Sequence, residues 1–351
     1  MKRIYAFICG ICALSAFTSC ENKEVEFDDF EYQTVYFAKQ SPIRTIVLGD
    51  NVYSTELDNQ HQFEIYATVG GVWKNRQDRA IQVAVDNSLV EGKTFEDGTP
   101  IQALPEDYYQ LLSNTLTIPA GKVQGAVKVQ LTDKFFADAK ATSLNYVLPL
   151  RIVSAKDSVL EDKDYILYGL KFINKYTGAW ISHGTDEIDL NGAKSTEKRE
   201  AEYLEQNEIR YLTTEGLFVC NYTVSTNVEV LRPKEVEENG VKKIVYEKTI
   251  ETLPCVLKLT FDDADNCVAE VISDKCSGAG SGKWTWKSAK NAWGGKDRDE
   301  IALNYTIDYE YMDYVNENGE WKTVQRHKIV KSADTLVMRD RQTKLETFVV
   351  K

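Results

Sequence analysis

From Ile301 to Tyr311 apolar and polar positions alternate without a break. Ile301, Leu303, Tyr305, Ile307, Tyr309 and Tyr311 share one face; Ala302, Asn304, Thr306, Asp308 and Glu310 share the other. A period of two sustained this long predicts a half-buried antiparallel strand. Asn318-Gly319 then supplies the two positive-φ residues of a type I′ turn, and a return strand is expected over Thr323–Val330. Asn239-Gly240 marks a second hairpin, between a strand near Val228–Leu231 and one over Val241–Thr249. Cys255 alternates with Leu257, Leu259 and Phe261, which places it on an inward face. Long strands joined as successive hairpins predict an up-and-down barrel or a meandering sheet.

The first half carries shorter runs rich in Val, Ile and Tyr: Thr34–Phe37, Ile43–Leu48, Phe63–Val69, Ala80–Val85, Ala126–Leu131, Tyr146–Val153 and Tyr165–Phe172. Asp97-Gly98 and Pro119-Ala120-Gly121 punctuate them. Such a series predicts an immunoglobulin-like antiparallel sandwich, with one helical or turn-like insert near Ala103–Leu112. The boundary is expected at Asn174–Thr177, ahead of Gly178-Ala179-Trp180. The fold class is thus all-β: an Ig-like sandwich over residues 31–173, then a barrel-like or meandering antiparallel domain over 176–351.

The N-terminus has a different character. Lys2 and Arg3 precede an apolar run from Ile4 to Phe17, and Thr18-Ser19-Cys20 closes it. The run is too short for a spanning helix and has the three parts of a secretory leader, residues 1–19. The ending resembles the lipobox of bacterial lipoproteins, although Phe17 stands where Leu is commonest. That resemblance implies removal of the leader and lipidation of Cys20; the alternative is an ordinary signal peptide that contains a cysteine. Residues 20–30, with Glu21, Lys23, Glu24, Glu26, Asp28 and Asp29, are too acidic and too weakly apolar to fold, and form a tether. Cys20-Glu21-Asn22-Lys23-Glu24 resembles the export signal of Bacteroidetes lipoproteins. It implies the outer leaflet of the outer membrane, with the periplasmic face as the alternative.

Charge narrows the partners. The chain carries a formal −12, more negative by two once Lys2 and Arg3 leave with the leader. Phosphate contacts need clustered Lys and Arg, so nucleic acid is excluded as a partner. An anionic membrane is also a poor partner for such a surface, so a lipid must do the anchoring. Cys220, Cys255, Cys267 and Cys276 lack any CxxC pair, and only His61, His183 and His327 accompany them. No metal site and no cofactor is expected. The four cysteines are either disulfide-bonded or buried as free thiols on strands.

Several stretches carry a family resemblance. Val35-Tyr36-Phe37-Ala38, Phe63-Glu64-Ile65-Tyr66-Ala67, Gly70-Gly71-Val72-Trp73, Asp107-Tyr108-Tyr109, Ile118-Pro119-Ala120-Gly121 and Asn145-Tyr146-Val147-Leu148-Pro149-Leu150 resemble an N-terminal domain of unknown function widespread in Bacteroidetes surface lipoproteins. In that family an Ig-like sandwich follows the lipid anchor, in surface glycan-binding proteins and ahead of some endoglycosidase domains. Tyr176-Thr177-Gly178, Gly282-Lys283-Trp284, Asn291-Ala292-Trp293-Gly294-Gly295 and Asp334-Thr335-Leu336-Val337 resemble a β-rich domain of unknown function that often follows it. The resemblance implies an accessory of a polysaccharide-utilisation system, beside a transporter of the SusC/SusD type.

No catalytic pattern stands out. With 54 Asp and Glu, carboxylate pairs are inevitable, and Asp186, Glu187 and Asp189 alternate faces or lie in a turn. Asp262, Asp263 and Asp265 lack the glycine and distal glutamate of a calcium loop and read as an Asp-rich turn. An endoglycosidase barrel of about 250 residues does not fit into what remains after the sandwich. The chain is read as a non-enzyme that binds polysaccharide or oligosaccharide. Sugars suit aromatic platforms flanked by polar groups. Trp284 and Trp286 fall on one face of a strand, about 6.6 Å apart by strand rise. Trp293 follows beside Gly294-Gly295, and Trp73 is the first-domain candidate. Trp180 reads as a core plug and Trp321 as an exposed residue beyond a turn. The competing reading is a structural or adhesive lipoprotein that docks protein partners.

Overall fold

The computed structural model describes residues 28–238 and 240–351. Cys20, the leader and most of the acidic tether lie outside the described residues, as does Asn239. Among the described residues no helix is long and apolar enough to cross a membrane.

The first domain is built from β1 (Thr34–Tyr36), β2 (Pro42–Val47), β3 (Gln62–Gly70), β4 (Arg79–Val85), β5 (Gln102–Ala103), β6 (Tyr109–Leu111), β7 (Thr115–Ile118), β8 (Gln124–Leu131), β9 (Tyr146–Ala155), β10 (Ser158–Val159) and β11 (Tyr165–Ile173). One layer carries β1, β3, β8 and β6; the other carries β4, β9, β11 and β2, and β7 links the layers by pairing with both β8 and β4. Alternate residues of each layer meet in a shared core that includes Phe37, Phe63, Ile65, Val127, Ile81, Leu148 and Phe172. All seven short strands read from the pattern are present. The insert near Ala103–Leu112 is a single 3₁₀ turn, Glu106–Tyr108, between two short strands.

The second domain runs through β12 (Gly178–Leu190), β13 (Ala193–Arg199), β14 (Glu208–Gly216), β15 (Val219–Glu238), β16 (Val241–Phe261), β17 (Asn266–Val271), β18 (Cys276–Ala289), β19 (Arg298–Glu317) and β20 (Glu320–Asp340). Neighbours pair antiparallel from β14 to β20, and β12 pairs with both β14 and β20, closing an eight-stranded ring. Strand β13 hangs on the far half of β12. The predicted phase of β19 holds: Ile301, Leu303, Tyr305, Ile307, Tyr309 and Tyr311 are all buried. Asn318 and Gly319 both have positive φ, and Glu317 pairs with Glu320 across that two-residue turn. The hairpins β15–β16 and β19–β20 have strands of 20 and 21 residues. Their far ends project as ribbons past the ring, where Tyr246 stacks on Trp321 with ring centroids 3.8 Å apart.

Cys220, Cys255 and Cys267 are buried in the barrel and Cys276 is half-buried; all four are free thiols. Burial pushes the Cys220 thiol up to about 11 and Cys255 to about 12, so neither is a thiolate at neutral pH. Asp262 accepts hydrogen bonds from the backbone N–H of Ala264 and Asn266, which makes the Asp-rich stretch the expected turn.

Two features bind the domains together. Asn174, fully buried, donates to the carbonyls of Gly216 (2.8 Å) and Val219 (3.1 Å) and accepts from the Tyr176 and Thr177 amides (both 3.1 Å). The buried Arg341 guanidinium donates to the carbonyls of Asn174 and Lys175. The second feature corrects the expected extent of the barrel domain, 176–351. After β20 the chain crosses back: β21 (Glu346–Thr347) adds to β2, and Phe348 packs on Phe95 at 5.5 Å. Phe348 and Val350 are apolar residues that complete a small cluster around Val147 and Leu167, so the tail belongs to the sandwich.

Candidate functional site

The ring is not sealed along its whole length. Strands β14 and β15 pair only from Leu212↔Tyr222 to Gly216↔Val219. Beyond Tyr222, Val224 to Asn227 pair with β16 on one side and, among the described residues, with no strand on the other. The wall opens there into a cleft of about 450 Å³ that reaches the barrel interior. An eight-stranded barrel is at the size where one small ligand fits inside, and the volume lies within the range of small-molecule sites.

The cleft is lined from β12, β13, β14, β15, β19 and β20, and on β12, β14 and β20 polar residues take inward positions where the pattern would otherwise place Leu or Val. On β20, Ser332 and Asp334 interrupt the series Val330, Leu336, Met338. On β12, Ser182, Gly184 and Asp186 follow Trp180. Asp334 is fully buried and is the centre of the array. It accepts hydrogen bonds from Tyr222 (3.1 Å), Tyr305 (2.9 Å) and Arg199, and Arg210 Nη1 lies 3.6 Å away. Gly184 makes room for this: a Cβ there would meet Ala333 O at 2.1 Å and Asp334 Oδ1 at 3.0 Å.

Arg199 spans two carboxylates. Its Nε and Nη2 donate to Asp186 at 2.7 and 2.9 Å, a bidentate pairing, and Nη2 also reaches Asp334. Ser332 donates to Asp186 at 2.7 Å. Burial works to raise the Asp186 pKa, but the Arg199 and Ser332 hydrogen bonds outweigh it and hold the carboxyl below its usual range. Burial likewise opposes the Arg210 charge, yet Tyr222, Tyr305 and Asp334 hold its pKa above the ordinary arginine value. Arg210 Nη1 donates to both tyrosine hydroxyls, at 3.1 and 3.3 Å. Lys328 closes the far side and donates to the carbonyl of Asn227 at 2.8 Å. The cleft therefore offers fixed donors and acceptors beside the Tyr305 and Tyr309 rings, an arrangement suited to a polyhydroxylated ligand. General acid work on a glycosidic bond needs a carboxyl with a raised pKa, and Asp186 is shifted the other way.

The tryptophans are elsewhere. Trp284 points into the barrel core, edge-on to Tyr176 at 6.0 Å. The register of β18 against β19 then shifts between Thr285 and Ala289, with Lys287 at positive φ. That irregularity turns Trp286 outward, 59% exposed, so the two indoles do not share a face. Trp286 Nε1 donates to Asp50 of the sandwich at 3.4 Å, and Lys287 pairs with Asp50 at 2.7 Å. Trp293 is half-buried under the Arg339 guanidinium at 5.2 Å. Trp73 is exposed in the loop of the sandwich that carries it. Trp286 and Trp293 thus flank the junction between domains, Trp284 is structural, and Trp73 belongs to neither. Trp180 is fully buried, as read.

Sequence reasoning passed over Arg199, Arg210, Lys328 and Asp334. One local signal was available: Asn191-Gly192, with both residues at positive φ, turns β12 into β13 and delivers Arg199.

Residues 175–342 match a domain of unknown function, DUF5627. Residues 30–159 match a second family, described as an N-terminal domain. A protein of unknown function from Bacteroides ovatus, known from its crystal structure, is 31% identical over 92% of this chain and 99% of that one, with a TM-score of 0.73. The chain belongs to the family of that protein. Its barrel is the DUF5627 half, and the other matched region, 30–159, lies in the sandwich. Two more Bacteroides ovatus structures are far less similar. A multidomain protein including DUF1735 is 14% identical over 89% of this chain and 97% of that one, at a TM-score of 0.42. Another protein of unknown function is 15% identical over 91% and 100%, at 0.43. No curated protein matches the chain.

Proposed function

We propose that this two-domain protein is a non-catalytic glycan-binding lipoprotein, with its site in the cleft of the DUF5627 barrel rather than on the tryptophans. The observation that carries the reading is the cleft itself: a concavity of about 450 Å³ into which Arg199, Arg210, Lys328, Asp186 and Ser332 converge beside two tyrosine rings. Sugars present many hydroxyls that both donate and accept, and a fixed array of charged partners binds them with strong, directional hydrogen bonds. In this reading Cys20 carries the lipid, the acidic tether and the sandwich raise the barrel from the outer membrane, and the barrel supplies glycan to a SusC/SusD-type system at the cell surface.

The test is a screen of the purified protein on a glycan array and on polysaccharide affinity gels. Thr226→Trp would fill the mouth of the cleft and should abolish retention. Trp286→Ala, at the domain junction, should leave it intact. Retention that survives Thr226→Trp but is lost in Trp286→Ala would move the site back to the junction, and no retention by the wild type would refute glycan binding.

A second reading, docking of a protein partner, has one observation in its favour. The projecting β15–β16 ribbon exposes Val241, Ile244 and Ile250, large apolar residues beyond the barrel.

A further inference from the structure

The buried charges of the cleft do not balance. Asp186 and Asp334 are the buried or nearly buried acids, with side chains 13% and 0% exposed. Against them stand three cations: Arg199 at 16%, Arg210 at 9% and Lys328 at 9%. The two arginines are matched by the two aspartates. Lys328 alone of the three has no ion pair, although with Glu197 and Glu208 at the rim the cleft as a whole carries no excess of positive charge. Its ammonium donates to the Asn227 carbonyl and, among the described residues, forms no ion pair, so two of its three N–H donors have no partner.

Arg199 has no part in this: its Nε and Nη2 are engaged by Asp186 and Asp334, and its Nη1 is shut off from the cleft. A buried charged donor left unsatisfied is costly, so the half-paired Lys328 ammonium beside this cavity needs an explanation. Burial lowers the pKa of Lys328, with only the more distant Glu197 and Asp186 opposing the shift. The ammonium is held at a cost that an incoming anion would remove.

We infer that the cleft takes an acidic sugar, one bearing a carboxylate, and that this carboxylate seats against Lys328. The inference rests on the cleft being the glycan site. The anion would give the Lys328 ammonium the partner that it lacks. Hydroxyls of the same residue would meet Ser332, Asp186 and the tyrosines. Glu197 and Glu208 stand at the rim, where solvent screens them; Glu208 is spent on Arg210. Their repulsion acts against a densely charged polyanion and less against a single buried carboxylate.

The experiment titrates the full protein, by calorimetry, with three probes: an oligogalacturonate, the same oligosaccharide with its carboxyls reduced to alcohols, and inorganic sulfate. An oligoglucuronate pair repeats the comparison. The acid form should bind at least tenfold tighter than its reduced form and should weaken with added salt, and sulfate should compete only at much higher concentration. Lys328→Met should erase the acid-over-neutral preference, while Lys328→Arg, which keeps the charge, should retain most of it. Equal binding of acid and reduced forms by the wild type overturns the inference and leaves the glycan reading standing. So does a preference that survives Lys328→Met in a variant whose melting temperature is unchanged. Sulfate binding as tight as the acid sugar would make this an inorganic-anion site and overturn it too. Failure of both acid sugars while neutral glycans are retained on the array also overturns it, whereas failure of every glycan removes the reading beneath it. Should Lys328→Met not fold, the wild-type comparison of acid with reduced sugar still decides.

Discussion

Removing Asp334 is the sharpest test of whether the barrel interior is held by its ion network. The side chain is fully buried and takes four neighbours: hydrogen bonds from Tyr222, Tyr305 and Arg199, and the Arg210 guanidinium at 3.6 Å. In Asp334→Ala, Arg199 keeps Asp186, but Arg210 is left with Glu208, which is largely exposed. Truncating one member of a buried pair typically costs about 3–5 kcal/mol, because the partner charge is left uncompensated. Two tyrosine hydroxyls lose their acceptor as well, which places the expected loss at the upper end. For a domain of this size roughly 2–4 °C of melting temperature is lost per kcal/mol, so a drop of about 10–20 °C is expected. Asp334→Asn keeps an acceptor for the tyrosines and should fall between. Asp334→Ala combined with Arg210→Met removes both charges and should recover part of the loss. Urea unfolding followed by tryptophan fluorescence reads the barrel directly, since Trp180 and Trp284 are both buried in it. If Asp334→Ala lost less than about 1 kcal/mol, or if the double variant were no better than the single, the network would not be a structural element of the barrel.

Other perturbations separate structural from functional roles. Trp284→Ala should cost about 3–5 kcal/mol by opening a core cavity, while Trp286→Ala, exposed at 59%, should change stability by no more than about 0.5 kcal/mol; paired denaturation curves check both. Asp186 has a folded pKa below its unfolded value, so its contribution is complete above the unfolded carboxylate value of about 3.9 and is lost as pH falls through the folded one. The urea midpoints of wild type and Asp186→Asn should therefore differ at pH 6 and converge towards pH 2.5. Gly184→Ala places a Cβ 2.1 Å from Ala333 O; strain of about 1–3 kcal/mol is expected, together with weaker ligand retention. Deleting residues 342–351 removes β21 and Phe348, and limited proteolysis should then cut near the 174–177 junction, which the intact chain protects.

What was legible in the sequence was whatever a local pattern encodes. Strict alternation gave β19 its phase, and Asn318-Gly319 its turn, because both signals depend on residues a few positions apart. The short first-half strands followed for the same reason. The C-terminal tail did not, since nothing in Glu346–Thr347 says which sheet edge it will meet; only the tertiary structure brings it to β2. The tryptophans misled through a sound rule applied across a break. Trp284 and Trp286 share a face only if the strand is regular between them, and the irregularity at Thr285–Ala289 removes that condition.

The cleft failed to show for a deeper reason. Asp186, Arg199, Arg210, Tyr305, Lys328 and Asp334 come from five different strands, and only Lys328 and Asp334 share one. What the chain does display is an anomaly of phase. Ser332 and Asp334 occupy the inward register fixed by Val330, Leu336 and Met338 on β20, and Arg210 and Leu212 are both buried on β14. A buried charge is expensive unless paired, so an Asp at a core phase of one strand requires a cation at a core phase of another. Arg199 and Arg210 answer for Asp186 and Asp334. Lys328 occupies the same inward register, holds only the Asn227 carbonyl and forms no ion pair among the described residues, which is why it, rather than any tryptophan, marks where a ligand should be sought.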